Sequence, residues 1–133
     1  MADSGKTAPT VAVIGASGDR SKFGNISVRA HLQQGFTVYP VNPKLPEVEG
    51  LPAYASIEAV PGPLDRVTLY VPPSVGIGLL EAIAAKQPGE VWLNPGTESD
   101  ALLARAAELG LNVIQACSIV ALGVRPSDFP ASS

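Results

Sequence analysis

The sequence predicts an α/β domain built on a five-stranded parallel sheet, and three observations carry that expectation. Short apolar runs rich in β-branched residues alternate along the chain with segments of helical spacing. The 13 Gly and 13 Pro fall mostly between those segments, where they punctuate rather than interrupt. A chain of 133 residues, 46% hydrophobic and 16% charged, makes one folded domain and leaves too little for a second. The domain is expected over residues 10–123, flanked by a disordered N-terminal tail (1–9) and a C-terminal tail (124–133) without an assigned element.

Thr10–Ile14 (T-V-A-V-I) is the first strand, apolar without alternation, as befits a strand buried on both faces. After the loop Gly15–Gly24, Asn25–Gln34 forms a helix: Ile26 with Ala30 and Val28 with Leu32 share faces, and Gly35 stands where a C-terminal cap belongs. Phe36–Val41 is the second strand, stopped by Asn42-Pro43. The Pro-rich stretch Lys44–Pro63 is mostly connection, with a short helical turn at Ser56–Val60 capped by Ser56. Arg66–Val71 is the third strand, ended by Pro72-Pro73, after which Ser74 caps a helix to Lys86 with Leu79, Leu80 and Ile83 inward. Glu90–Leu93 is the fourth strand. Ser99 then caps a helix with Leu102, Leu103, Ala106 and Ala107 inward, Gly110 closes it, and Asn112–Gln115 is the fifth strand. This alternation implies right-handed crossovers and a doubly wound, Rossmann-like sheet, with expected strand order 3-2-1-4-5. Ligands of such folds bind beyond the carboxyl ends of the strands, where Gly15, Asn42-Pro43, Val71-Pro72-Pro73, Asn94-Pro95-Gly96 and Ala116-Cys117 collect.

Composition removes several function classes. Nine Lys and Arg against twelve Asp and Glu leave a net charge of −3, without the positive field that nucleic acid or an anionic membrane requires. No apolar run approaches the roughly eighteen residues of a membrane span. One Cys and one His cannot supply the ligands of a metal centre, nor assemble a Ser-His-Asp arrangement. His31 reads as an exposed helix residue, Trp92 as core, and Cys117 as a small packing residue after the fifth strand. Unpaired cysteine and a short polar N-terminus point to the cytoplasm.

The loop Gly15-Ala16-Ser17-Gly18-Asp19-Arg20-Ser21-Lys22-Phe23-Gly24 joins a strand to a helix and is suited to phosphate. It is not the dinucleotide fingerprint G-x-G-x-x-G, since Ser17 and Arg20 occupy the second and third glycine positions; nor is it a Walker A loop or a nucleophile elbow. The end of the second strand, Y-P-V-N-P-K, lacks the carboxylate that would accept ribose hydroxyls. Lys44, with Arg20 and Lys22 on the same edge, favours an adenosine ligand carrying an extra phosphate, either coenzyme A or NADP.

Three motifs in order, V-A-V-I-G-A-S (Val11–Ser17), Y-P-V-N-P-K (Tyr39–Lys44) and Y-V-P-P (Tyr70–Pro73), resemble the CoA-binding domain family. Its relatives include the N-terminal domains of the succinyl-CoA synthetase α subunit and of ADP-forming acyl-CoA synthetases. The resemblance, which spans about residues 10–120, implies that Gly15, Ala16, Ser17 and Lys22 hold phosphates. It places Val41, Asn42, Pro43 and Lys44 at the adenosine end, packs Val71 and Pro72 on the adenine, and turns the loop from Asn94 to Glu98 toward the pantetheine arm. The family's ligases act through a phosphohistidine on a second domain, so the expectation is a stand-alone CoA or acyl-CoA binding protein without complete catalytic machinery. A CoA-sensing module that docks a protein partner or a second copy, and an NADP-type enzyme of the same fold, are the alternatives. Where the relatives carry an N-C-P turn, this chain has Ala116-Cys117-Ser118, which leaves open whether the Cys117 thiol only packs or faces the thiol of CoA.

Overall fold

The computed structural model describes residues 8–131, so most of the expected N-terminal tail and the last two residues lie outside the described residues. In chain order the elements begin with β1 (Thr10–Ile14), α1 (Phe23–Gln33), β2 (Thr37–Val41) and the two-residue strands β3 (Glu47–Val48) and β4 (Leu51–Pro52). They continue with a 3-10 turn at Ile57–Ala59, β5 (Arg66–Leu69), α2 (Pro73–Gly76), a 3-10 turn at Ile77–Leu79 and α3 (Leu80–Ala85). Then come β6 (Glu90–Leu93), α4 (Asp100–Glu108), β7 (Val113–Gln115), α5 (Ser118–Ala121) and a last 3-10 turn at Pro126–Asp128.

Five strands form a parallel sheet in the order β2-β1-β5-β6-β7, while β3 and β4 pair antiparallel beside it. The α/β, Rossmann-like class is as expected, but the strand order is not. Counting the five long strands, the order is 2-1-3-4-5 rather than 3-2-1-4-5, because the third packs against the first instead of extending beyond the second. Pro40 supplies the physical reason. Its carbonyl points away from β1 and accepts from the Tyr54 N–H at 2.9 Å, so the side of β2 facing outward lacks a proline N–H and cannot ladder with a full strand. The segment at Tyr54 covers that edge with a single bridge to Val41. β5 takes the centre, where Val67, Thr68 and Leu69 are fully buried.

Apolar residues of β1 go to both faces, as an enclosed parallel strand demands. Ala12 and Ile14 join Leu69, Leu80, Ile83 and Leu102 in one core; Val11 and Val13 pack with Val28, Val38 and Val48 in the other. α1 ends as expected at Gly35, with φ +88°: the Phe36 N–H bonds the His31 carbonyl and the Gly35 N–H that of Leu32, a Schellman closure. The Ser74 cap is replaced by Pro72, with Pro73 in the first helical position, and the expected single helix to Lys86 breaks into α2, a 3-10 turn and α3. Ser56 flanks its short turn without a side-chain capping bond, whereas Ser99 accepts from the Leu102 N–H at 3.1 Å. Ala107 is exposed, not inward. From Val124 onward the chain packs on α1: Phe129 is buried beside Ile26, Ala30 and Ile119, and Arg29 donates to the carbonyls of Phe129 and Pro130.

His31 corrects a further expectation. It is fully buried on the sheet side of α1; Gln33 and Gln34 beside it in sequence face water. Its Nδ1 donates to the Ser27 carbonyl (2.8 Å), its ring meets Phe36 edge-on at 4.9 Å, and Nε2 faces the Arg66 guanidinium at 3.4 Å. Burial, with Arg66 adding to it, lowers its pKa to about 4 against the gain from the Ser27 carbonyl, so the ring is neutral.

Candidate functional site

The strand order reverses between β1 and β5, and the carboxyl ends of these two strands meet closely. The Tyr70 N–H donates to the Ile14 carbonyl at 2.8 Å. A Cβ at Gly15, whose φ is +90°, would lie 2.8 Å from the Tyr70 carbonyl oxygen, so only glycine fits this crossing. A Cβ at Gly24 would lie 2.1 Å from the Gly15 carbonyl oxygen, which lets α1 start directly against the end of β1. Gly24 thus does the close-packing work that the dinucleotide fingerprint gives to its third glycine, at the end of a longer loop.

Three cavities lie in series along this crossing. A cleft of about 540 Å³ runs between the start of α1 (Ser21, Lys22, Phe23) and the loops after β5 and β6 (Tyr70, Pro72, Thr97). On one side, sharing Gly15 and Val71 with it, lies an apolar pocket of about 300 Å³ walled by Ile14, Val41, Pro43, Ile57 and Val75. On the other side, sharing Phe23, Tyr70 and Pro95, lies a smaller pocket of about 100 Å³ that Asn94 and Cys117 complete.

The β1–α1 loop is held by polar contacts. Ser17 Oγ accepts from the Asp19 N–H at 3.0 Å, and Asp19 in turn accepts from the Ser21 N–H and hydroxyl, bonds that hold its carboxyl below the usual range. Buried Asn25 donates to the Ser17 carbonyl and to Glu49, both at 2.9 Å, and receives Arg29 at 2.7 Å. Arg20 pairs with Glu49 at 3.2 Å, so the charge expected to serve a phosphate is offset by a carboxylate. Across the cleft a neutral network is buried. Asn94 donates to the Thr68 hydroxyl (2.7 Å) and the Leu69 carbonyl (2.8 Å) and accepts from the Ser118 N–H (2.9 Å). The Ser118 hydroxyl also meets Thr68 and the Tyr70 phenol, whose pKa burial raises, keeping it protonated. Glu98 accepts from the Gly96 N–H just ahead of the Ser99 cap.

The sequence-derived residues therefore divide. Gly15, Lys22, Val41, Pro43, Val71 and Pro72 line the cleft or the adjoining apolar pocket. Asn42 shapes it from behind: its amide donates to the Ala16 carbonyl and its oxygen accepts from the N–H groups of Lys44 and Leu45. Ala16 is core, Ser17 is half-buried in the loop, Lys44 is exposed beside Pro43, and Asn94 works as scaffold with one face on the small pocket. Phe23 and Tyr70 line two of the cavities and were not among the expected ligand residues. Phe23 could have been noticed as an aromatic, 58% exposed here, in an otherwise small and polar loop. Among the described residues no group of three or more His, Cys, Asp or Glu could hold a metal ion, and no helix is long and apolar enough to cross a membrane.

The chain is 43% identical over 63 residues to the α subunit of the ADP-forming acetate–CoA ligase II of Pyrococcus furiosus, a match covering 47% of this chain and 14% of that relative. Among solved structures, a Thermus thermophilus protein described only as cell-free ID.343 superposes with TM-score 0.78 at 34% identity, over 85% of this chain and 87% of that one. The dinucleotide-forming acetyl-coenzyme A synthetase 1 of Ca. Korarchaeum cryptofilum, solved with phosphate and ADP, gives TM-score 0.71 at 30% identity, over 80% of this chain and 25% of that one. The chain thus spans a small part of the ligases it matches and most of a chain of its own size. With the CoA binding domain profile matching residues 9–123, almost the whole of the described chain, this protein belongs to the CoA binding domain family.

Proposed function

We propose that this protein binds coenzyme A or an acyl-CoA, extended along the carboxyl edge of the sheet. The observation that carries the reading is the series of cavities: apolar at one end, lined in the middle by glycines, Ser21, Lys22 and Thr97 together with aromatic and proline side chains, and apolar again at the other. Coenzyme A has the same order of parts. Its adenine would fill the pocket of Ile14, Val41, Pro43 and Val71, and its 3′-phosphate would meet Lys44, exposed beside Pro43. The pyrophosphate would lie at Gly15 and the first turn of α1, where the helix dipole and Lys22 both favour an anion. Ser17 Oγ, accepting from Asp19, retains a proton to donate there. The pantetheine arm would follow the cleft between Phe23 and Tyr70 toward Pro95.

The proposal is of a cytoplasmic binding protein and assigns no reaction to the chain. The one histidine is sealed at the opposite edge of the sheet, remote from all three cavities. A thermal-shift panel tests the reading with CoA, acetyl-CoA, dephospho-CoA, NADP, NAD and ATP. A ligand at 100 times its dissociation constant stabilises by about 2.7 kcal/mol, or about 8 °C for a domain of this size. The expected result is a shift with CoA that shrinks with dephospho-CoA. A shift with NADP and none with CoA would transfer the site to the nicotinamide reading.

A further inference from the structure

Resting on the CoA reading above, we infer that the small pocket formed by Phe23, Tyr70, Asn94, Pro95 and Cys117 is an acyl site that takes a short thioester and excludes a long one. Its position follows from shared walls. The adenine pocket adjoins the cleft through Gly15 and Val71, and the small pocket adjoins it through Phe23, Tyr70 and Pro95, so the two flank the cleft on different walls. A ligand with its adenine at the first end brings its thiol end to the second.

Three properties suit the pocket to an acyl group rather than to more of the pantetheine arm. Its lining is dominated by an aromatic ring, a phenol ring face, a proline and a thiol, while the polar atoms at its back are already satisfied. Asn94 spends its amide on Thr68 and Leu69 and its oxygen on Ser118, and the Tyr70 phenol is bonded to Ser118. Nothing polar in that wall is left to compete for an amide of the arm. The volume is about 100 Å³. At about 30 Å³ for a water-sized group, that holds three or four heavy atoms, the size of an acetyl or propionyl group. The back wall is also rigid: Asn94 and Ser118 join β6, β5 and α5 through bonds with no exposed member, so the pocket cannot deepen without breaking them. Phe23 and Pro95 are exposed, and they form the lip.

The test is a chain-length series on the full protein, with affinities of CoA, acetyl-, propionyl-, hexanoyl- and octanoyl-CoA measured by calorimetry. Acetyl- and propionyl-CoA are expected to bind at least as tightly as CoA, and octanoyl-CoA at least tenfold more weakly than acetyl-CoA. In Phe23→Ala the ratio of octanoyl- to acetyl-CoA affinity should rise at least tenfold, as the lip opens. In Cys117→Leu, which fills the pocket, the ratio of propionyl-CoA to CoA affinity should fall at least fivefold. Octanoyl-CoA binding as tightly as acetyl-CoA to the unaltered protein, while CoA itself binds, overturns the acyl pocket and leaves the CoA reading standing. Failure of CoA and every thioester to bind overturns both.

Discussion

The two edges of the sheet use polar chemistry for opposite ends. At the carboxyl edge, neutral side chains are locked to one another and to the backbone so that a cavity stays open. Asn94, Thr68, Ser118 and Tyr70 share one buried network, and Gly15 and Gly24 let the chain cross where side chains would collide. At the amino edge, ionisable groups close the fold. The Arg66 guanidinium lies 5.2 Å from the Phe36 ring centroid and 4.7 Å from that of Trp92, pairs with Glu90 at 3.2 Å, and faces His31. Asp65 there also accepts from the N–H and hydroxyl of Thr10. The buried network at the carboxyl edge stays neutral, whereas at the amino edge a buried ring that can titrate lets pH reach the interior of the fold.

The largest effect should come from breaking the neutral edge. Asn94→Ala strands the Leu69 carbonyl and the Ser118 N–H in a site shielded from water, at about 1–3 kcal/mol for each group left unpaired, and leaves the Thr68 hydroxyl with Ser118 alone. A loss of about 4 kcal/mol is expected after partial relaxation, read by urea denaturation, with weaker CoA binding in the fraction still folded. Full stability with impaired binding would mean that Asn94 contacts ligand rather than holding the scaffold.

The next effect belongs to the amino edge. Below pH 6.5 the unfolded chain takes up a proton at His31, which the folded chain refuses until about pH 4. Stability should therefore fall as the pH drops through that window and level off beneath it, by about 3 kcal/mol in all at 1.36 kcal/mol per pH unit. His31→Gln should flatten the pH dependence of stability between pH 6.5 and 4 while leaving CoA affinity at pH 7.5 unchanged. A His31→Gln profile as steep as that of the unaltered chain would remove His31 as the cause.

Much of the fold was legible because alternation and punctuation are local. β1 and β6 begin and end where their apolar runs do, and Gly35 and Ser99 cap as their types predict. What misled was tertiary. Pro40 could have been read as the mark of an edge strand, but its consequence, the neighbour that β5 takes, lies across the chain. The strand order in turn decides that Tyr70 faces Gly15, so the part of the cleft built on that contact was hidden while its glycine and proline loops were visible. The β3–β4 hairpin left its trace in Glu49-Gly50, a two-residue turn with φ of +51° and +79°, lost in a Pro-rich stretch. His31 was misplaced because a buried polar residue is indistinguishable by type from an exposed one; its clue was Ser27, one helical turn earlier on the same face.

The smallest effect sharpens the comparison most, because it concerns a place where the carboxyl edge does use charge. Glu49 receives Asn25 and pairs with Arg20, and both partners brace the β1–α1 loop. The pair is partly exposed, with the arginine side chain 33% and the carboxylate side chain 21% accessible, so screening limits its worth to about 1 kcal/mol. Glu49→Gln preserves a hydrogen-bond acceptor for Asn25 and removes the charge. Stability should fall by no more than about 1 kcal/mol, and by less at high salt. Affinity for CoA should move the other way, rising two- to fivefold at low ionic strength with a steeper salt dependence, because a carboxylate no longer offsets Arg20 beside the phosphates. A loss of CoA affinity in Glu49→Gln would mean that the charged pair positions the loop. In that case the carboxyl edge, like the amino edge, depends on ionised groups for its shape, and the contrast between the two edges would reduce to one of burial.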